Sequence, residues 1–295
     1  MPRQIISPIT DKNTDSGADV FFACSNAFDL AQTLATAIQK AETTDGKYII
    51  GPINSNTWHR YRLVERDYSQ ESLPAFSAEP YDLDYKDQLA ILADFRFTVA
   101  ARYYSSLFTF ESRTHSIADS VADIKQYAHT QSWYMPAIEP GGFARDCDFQ
   151  TLLAEIYSLS CQAFADNYLY QPISFEEFSK LYQGLKNIII DFPPVLCRSK
   201  SSGELLGYCL ILPYLQDTIL FKTIARKPGA QFGGIGKAMV QTAISRYLER
   251  GYSRGVFALY KDDGSSRYMQ DSFGAQIFRS YALFSRQLKT SPQEF

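Results

Sequence analysis

Residues 231–236 read Gln-Phe-Gly-Gly-Ile-Gly, and the chain changes period across them. Upstream, Asp217 to Arg226 has the length and apolar members (Ile219, Phe221, Ile224) of a strand. Downstream, Gly236 to Arg250 carries Val240, Ala243, Ile244, Tyr247 and Leu248 at helical spacing and stops at Gly251. Glycines at such a junction let backbone N–H groups approach a ligand, because no Cβ stands in the way. The helix start adds unpaired donors and the positive end of the helix dipole. Together they make an anion site suited to phosphate or pyrophosphate. A tight corner without any ligand would use the same glycines.

Two familiar phosphate motifs fail here. A Walker A loop needs GxxxxGK[ST], whereas Gln231 stands at its first glycine and Ala238 follows Gly236-Lys237. The dinucleotide fingerprint GxGxxG fails because Met239 replaces its last glycine.

The remaining pattern is that of a mixed α/β layer protein. Ala18–Cys24 and Lys47–Ile53 are predicted strands around a helix carrying Leu30, Leu34, Ala37, Ile38 and Ala41. A polar loop with Trp58 and His59 follows, then a helix over Tyr85–Ala93 and extended chain over Arg96–Phe110. A helix is expected over Ser116–Thr130 and a strand over Trp133–Ile138. Further helices are expected over Phe149–Phe164 and, opened by the capping pair Ser174/Glu177, Phe175–Gly184. Pro193–Arg198 and Leu205–Pro213 form a hairpin around Ser199–Glu204. After the glycine loop and its helix come a strand at Gly255–Tyr260, a helix at Ser265–Ser272 and an extended pair over Ala275–Leu288. Strand, helix, glycine, strand, short helix and Tyr-rich strand occur in that order over 18–110 and again over 217–290, a repeat of element order rather than of identity.

Composition narrows the function. Charged residues make up 21% and hydrophobic ones 45%, as in a globular protein, and a net charge of −3 with pI near 5.7 argues against broad nucleic-acid binding. The five cysteines (Cys24, Cys147, Cys161, Cys197, Cys209) form no CxxC pair and no metal-ligand cluster, so they read as thiols in a reducing compartment. No stretch reaches the ~20 apolar residues of a membrane span. The N-terminal residues are polar, which predicts a cytoplasmic protein without a signal peptide.

The pattern that fits the loop is [Q/R]xxGx[G/A], at all three defining positions. It resembles the acetyl-coenzyme A loop of the GNAT superfamily of N-acetyltransferases, which also lies between a strand and a helix. Further stretches resemble one bacterial subgroup of that superfamily: Phe164–Phe178, Phe221–Arg226, and Gly51–Asn54 with Thr57–Arg62. The resemblance implies an acyl-CoA N-acyltransferase (GNAT) fold in tandem. Its parts are a flexible tail (1–17), a degenerate unit without the cofactor loop (18–115, with Asn26-Ala27-Phe28-Asp29 in the loop's place), and a catalytic unit (116–295). It implies acetyl-CoA or another acyl-CoA held by Ile224, Ala225, Arg226, Gln231, Phe232, Gly233, Gly234, Ile235, Gly236, Lys237, Ala238 and Ser266. It implies direct attack of a small-molecule amine on the thioester in one ternary complex.

The family tyrosine, four residues before Gly274, is Gln270 in this chain. Tyr268 or Tyr281 is left as the acid for the leaving thiolate, and Asp217 or a water chain as the base. Asn167 and Tyr168 are candidates for the acceptor pocket, with helix-end capping as their other reading. Lys237 either contacts cofactor phosphate or faces solvent. His59 falls in the unit without the loop and reads as structural or pocket-lining. O-acylation, thioester decarboxylation and non-catalytic acyl-CoA binding remain open beside N-acyl transfer, and no metal is expected.

Overall fold

A computed structural model describes residues 19–23, 26–44, 46–110, 131–138, 148–262 and 265–288. The expected tail over 1–17, the helix over 116–130, the boundary near 115, Cys24 and Cys147 lie outside the described residues. Two compact units emerge, each discontinuous in sequence. The first comprises Met1–Tyr104, Tyr260–Gly264 and Ile277–Phe295; the second comprises Ser105–Leu259 and Ser265–Gln276.

The first unit contains β1 (Val20–Phe21), α1 (Ala27–Thr43), β2 (Tyr48–Gly51), β3 (Leu63–Asp67), α2 (Tyr85–Asp94), the first part of β4 (Thr98–Thr109) and nearly all of β10 (Gln276–Gln287). Its strand order is β1-β2-β10-β4, with β3 also on β10. β1 and β2 are parallel, Val20 facing Ile49, so α1 is the crossover of a βαβ unit. Leu30, Leu34, Ala37 and Ala41 recur every three or four residues and form one stripe of α1. That stripe is buried with Val20, Ile49, Leu63, Leu92 and Phe284.

The second unit contains the rest of β4, β5 (Trp133–Tyr134), α3 (Phe149–Ala163), α4 (Phe175–Tyr182), α5 (Ile188–Asp191), β6 (Val195–Ser199), β7 (Leu205–Leu215), β8 (Thr218–Arg226), α6 (Ile235–Leu248), most of β9 (Arg254–Lys261) and α7 (Ser265–Ser272). Its strand order is β4-β9-β8-β7-β6-β5. β5 through β8 are antiparallel neighbours, and β8 and β9 are parallel. The Ser174 hydroxyl accepts from the Glu177 N–H at 3.1 Å, as the capping pattern predicts. Phe108, Phe221, Phe257 and Phe273 pack as one aromatic cluster, the Phe108 and Phe257 rings stacked at 4.6 Å. α6 presses close to β7, since a Cβ at Gly207 would meet Ile235 Cγ2 at 2.9 Å.

Apart from the added β3, the order β1-α1-β2-α2-β4 is repeated as β8-α6-β9-α7-β10, as the sequence predicts. Three elements differ from expectation. β3 is a strand within the segment read as loop. Two apolar residues followed by Glu65-Arg66-Asp67 carry little strand signal, and the two carboxylates are taken up by Arg102 and Arg279. The expected pair over 275–288 is one strand of twelve residues. Arg279-Ser280 looks like a break, but Arg279 is fully buried between Asp67 and Glu79, so the strand passes through it. α5 was missed because its single turn is too short to show a period.

Candidate functional site

In the second unit, β8 carries the chain into the glycine loop along an edge whose partners change midway. Toward β7 the ladder runs on to Arg226, opposite Gly207. Toward β9 it covers only Thr218–Phe221 against Arg254–Phe257. Beyond Phe221 the two parallel strands part, and the Lys222–Arg226 edge no longer meets β9 as a ladder. A strand edge of this kind can take an extended ligand through main-chain hydrogen bonds. Lys222, Thr223, Ile224 and Arg226 are half-exposed, and Ala225 is buried. Sequence reasoning assigned Ile224, Ala225 and Arg226 to the ligand but had no signal for the parting of the strands, which depends on pairing.

The loop then folds on itself. The Arg226 guanidinium donates to the carbonyls of Lys227 at 2.9 Å and Gly229 at 3.0 Å, and the Lys227 ammonium is paired with Glu204. A 3-10 turn spans Ala230–Phe232, closed by the Gly233 N–H to the Ala230 carbonyl at 2.9 Å. Gly234 then stands at the N-cap of α6 with φ +83°, the left-handed region that a residue with a Cβ enters only at a cost. The cap makes no side-chain hydrogen bond, and the first turn holds no acidic residue. The Ala238 N–H bonds to the Gly234 carbonyl at 3.0 Å as the first helical bond, so the first-turn N–H groups before it have no partner within the helix. Gln231, Gly233, Gly234 and Lys237 are exposed. A Cβ at Gly236 would stand 3.8 Å from Ile224 and 3.9 Å from Met269 Sδ, ordinary contact distances. The mouth of α6 is therefore an open, positively polarised donor group with β8 on one side and α7 on the other.

The remaining candidates fall elsewhere. Ser266 lies in α7, and its side chain is outside the described residues. Tyr268 on the same helix is 79% exposed, leaving its phenol accessible. Gln270, at the position where the resemblance implies a tyrosine, is buried, and its side-chain oxygen accepts from the Ser106 hydroxyl at 3.3 Å. Tyr281 belongs to the first unit; it is fully buried and its hydroxyl is held by Glu79, so it is not free to exchange a proton with a ligand.

Asp217 precedes β8, at the end opposite the loop. Arg254 Nε and Nη2 reach its carboxylate at 2.9 and 3.0 Å, with Thr218 and Ser253 adding hydrogen bonds. The Arg254 hydrogen bond leads in lowering its pKa to about 2, which makes it a poor base. Nine residues of β8 at about 3.3 Å each separate it from the loop. The assignment of Asp217 as base is therefore corrected: it ties the starts of β8 and β9 together.

Asn167 and Tyr168 occupy the turn after α3, where the Asn167 N–H donates to the Phe164 carbonyl at 2.9 Å. Neither lines the open groove of about 400 Å³ between α3 and α4, whose walls are Phe149, Gln150, Phe175, Ser179 and Gln183. Sequence reasoning also missed Tyr182 of α4, whose hydroxyl is hydrogen-bonded to Thr223 on the parted stretch of β8. Burial pushes the pKa of that phenol to about 12. It falls inside the helix expected over Phe175–Gly184, and nothing local announced the contact.

No family model matches this chain, and no curated protein does. Among solved structures it is similar to a GCN5-related N-acetyltransferase from Sphaerobacter thermophilus. The TM-score is 0.50 at 11% identity, covering 90% of this chain and 70% of that one. A tandem GNAT protein from the clavulanic acid biosynthesis pathway gives 0.44 at 11% identity over 88% of this chain and 70% of that one. A GCN5-related N-acetyltransferase from Kribbella flavida gives 0.41 at 11% identity over 91% of this chain and 80% of that one. The first of these likenesses shows the fold, and the chain has the fold of the GNAT acetyltransferases. Among the described residues no helix is long and apolar enough to cross a membrane, and no cluster of metal-ligating side chains occurs.

Proposed function

We propose that the second unit binds an acyl-coenzyme A at the mouth of α6 and transfers its acyl group to an amine of a small molecule. The observation that carries this reading is the uncapped α6 N-terminus opening beside the point where β8 and β9 part. A thioester supplies an acyl group already activated toward nucleophiles. The first-turn N–H groups at Ile235, Gly236 and Lys237 would hold a diphosphate, with the exposed Lys237 ammonium beside it. The edge of β8 from Lys222 to Arg226 would align the pantetheine arm. Tyr182 stays protonated across the neutral range and offers Thr223 a fixed hydrogen-bond partner; a phenol near 12 is too weak an acid to serve a thiolate. Tyr268 is the phenol on α7 accessible for that proton transfer. With Asp217 tied to Arg254, the amine proton leaves to water.

Release of free thiol from acetyl-CoA, followed with a panel of amines and with mass spectrometry of the products, tests the reading. Thiol released together with an acylated amine supports it, and Tyr268→Phe should lower kcat by about 10²-fold with little change in KM. A second reading rests on the buried Gln270 in place of the family tyrosine: the unit binds acyl-CoA without turning it over. Calorimetric binding with no thiol release for any amine would favour that reading.

A further inference from the structure

Arg62, in the first unit, is a buried arginine with donors that meet no acceptor. It is 9% exposed, and its Nε and Nη1 have no hydrogen-bond partner among the described residues. Its guanidinium carbon lies 3.8 Å from the centroid of the Tyr61 ring and 3.8 Å from that of Tyr103. The two rings stand almost at right angles, 5.9 Å apart. Aromatic faces stabilise the positive charge, but they do not receive the N–H bonds, which point outward in the guanidinium plane. Buried donors left this way carry their full desolvation cost until an acceptor arrives.

The chain holds this group in place. The Arg62 N–H donates to the Pro52 carbonyl at 2.9 Å, and the residue sits at φ +77°, next to the isolated bridge between Ile53 and Tyr61. A non-glycine residue in that region is sparsely populated and persists where its surroundings fix it. Two carboxylates of the same unit are already committed to another arginine. Arg279 donates to Glu79 at 2.6 Å and to Asp67 at 2.9 Å, and Glu79 also accepts the Tyr281 hydroxyl. Burial lowers the pKa of Arg62 to about 10, against a smaller opposing effect of the Tyr103 and Tyr281 hydroxyls. Its charge is retained at neutral pH.

We propose that Arg62, walled by Tyr61 and Tyr103, is a binding site for the carboxylate of a small organic acid or amino acid. A carboxylate is planar, singly charged and acceptor-only, and so can receive the in-plane N–H of either unbonded nitrogen in a charge-assisted hydrogen bond. A phosphate dianion would want a second cation, and Arg279 is already neutralised by two carboxylates. The site is separate from the acyl-CoA reading and does not depend on it.

The test uses the full chain without coenzyme A. Phenylacetate and acetate are titrated against methyl phenylacetate and inorganic phosphate, following the arginine side-chain ¹⁵N–¹H signals and tyrosine absorbance. Saturable shifts with the carboxylates, at least tenfold weaker binding in Arg62→Met, and partial retention in Arg62→Lys are the expected results. Arg62→Met should melt at or above the wild-type temperature without ligand, because it removes a buried cation with two unbonded nitrogens. The proposal is overturned if the wild type shows no saturable response, if the ester or phosphate binds as tightly as phenylacetate, or if Arg62→Met binds phenylacetate unchanged. Should Arg62→Met not fold, the wild-type titration and Arg62→Lys decide the matter.

Discussion

The N-termini of α1 and α6 open equivalent helices of a repeated unit, yet they present opposite surfaces. At α1 the Asn26 side chain accepts from the Asp29 N–H at 3.0 Å, and the Asp84 carboxylate accepts from the Ala27 N–H at 2.5 Å. Asp29 adds a second negative charge in the first turn. The helix start is thus closed by the chain's own acids, and the hydrogen bond from Ala27 leads in holding the Asp84 pKa below its ordinary value. At α6 a left-handed glycine replaces the capping side chain, and the first turn carries no acidic residue. A helix start needs an anion or an acceptor. One copy supplies its own, and in the other no capping side chain does so.

The largest expected effect sharpens the contrast in what holds each unit together. In the first unit Arg279 and Glu79 are both buried and bonded, whereas the second unit is centred on apolar aromatic packing. Burial on its own would lower the Arg279 pKa, and the Glu79 and Asp67 hydrogen bonds raise it instead. Glu79→Ala should therefore cost roughly 3 kcal/mol in denaturant unfolding, since it leaves the buried Arg279 with only Asp67 and the Leu73 carbonyl and removes the acceptor of the Tyr281 hydroxyl. Affinity for acyl-CoA in the protein that remains folded should not change. An unfolding midpoint equal to that of wild type would break the contrast.

Gly234→Val forces a branched side chain into the left-handed region at the α6 mouth, and acyl-CoA affinity should fall by about 30-fold, or about 2 kcal/mol. Gly236→Ala, where a Cβ meets only ordinary contacts, should change it by no more than about twofold. If both variants bind as wild type does, the loop does not hold the ligand. Asp84→Ala opens the α1 mouth and should cost about 1 kcal/mol in thermal unfolding, without creating a second acyl-CoA site, because Asp29 and Asn26 remain.

The smallest effect concerns Asp217, a partly exposed pair discounted for solvent screening. Asp217→Asn should cost about 0.5–1 kcal/mol at pH 7. The sign follows from a folded pKa of about 2, below the ordinary carboxylate value: the stabilisation is complete above about pH 4 and is lost as pH falls toward 2. A difference between variant and wild type that persists undiminished at pH 2 would show that the effect is not the carboxylate's charge.

Much of this was readable from the sequence because periods and punctuation are local. The apolar stripe of α1, the Ser174 cap, the hairpin at Ser199–Glu204 and the strand–glycine–helix junction each announce themselves within a dozen residues. What escaped was non-local. β3 and the continuity of β10 depend on charges neutralised across strands, by Arg279 with Asp67 and Glu79. The fate of Asp217 depends on Arg254, and the parting of β8 from β9 on a register that no single segment encodes. Each unit also takes up the final strand of the other copy, residues of β10 in the first and of β4 in the second, an exchange invisible to a reading made along the chain.

Titration calorimetry of the wild-type chain with acetyl-CoA addresses the difference between the two helix mouths most directly. A single equivalent bound per chain, abolished or strongly weakened by Gly234→Val and untouched by Asp84→Ala, is the predicted result. Two equivalents, or none, would contradict it.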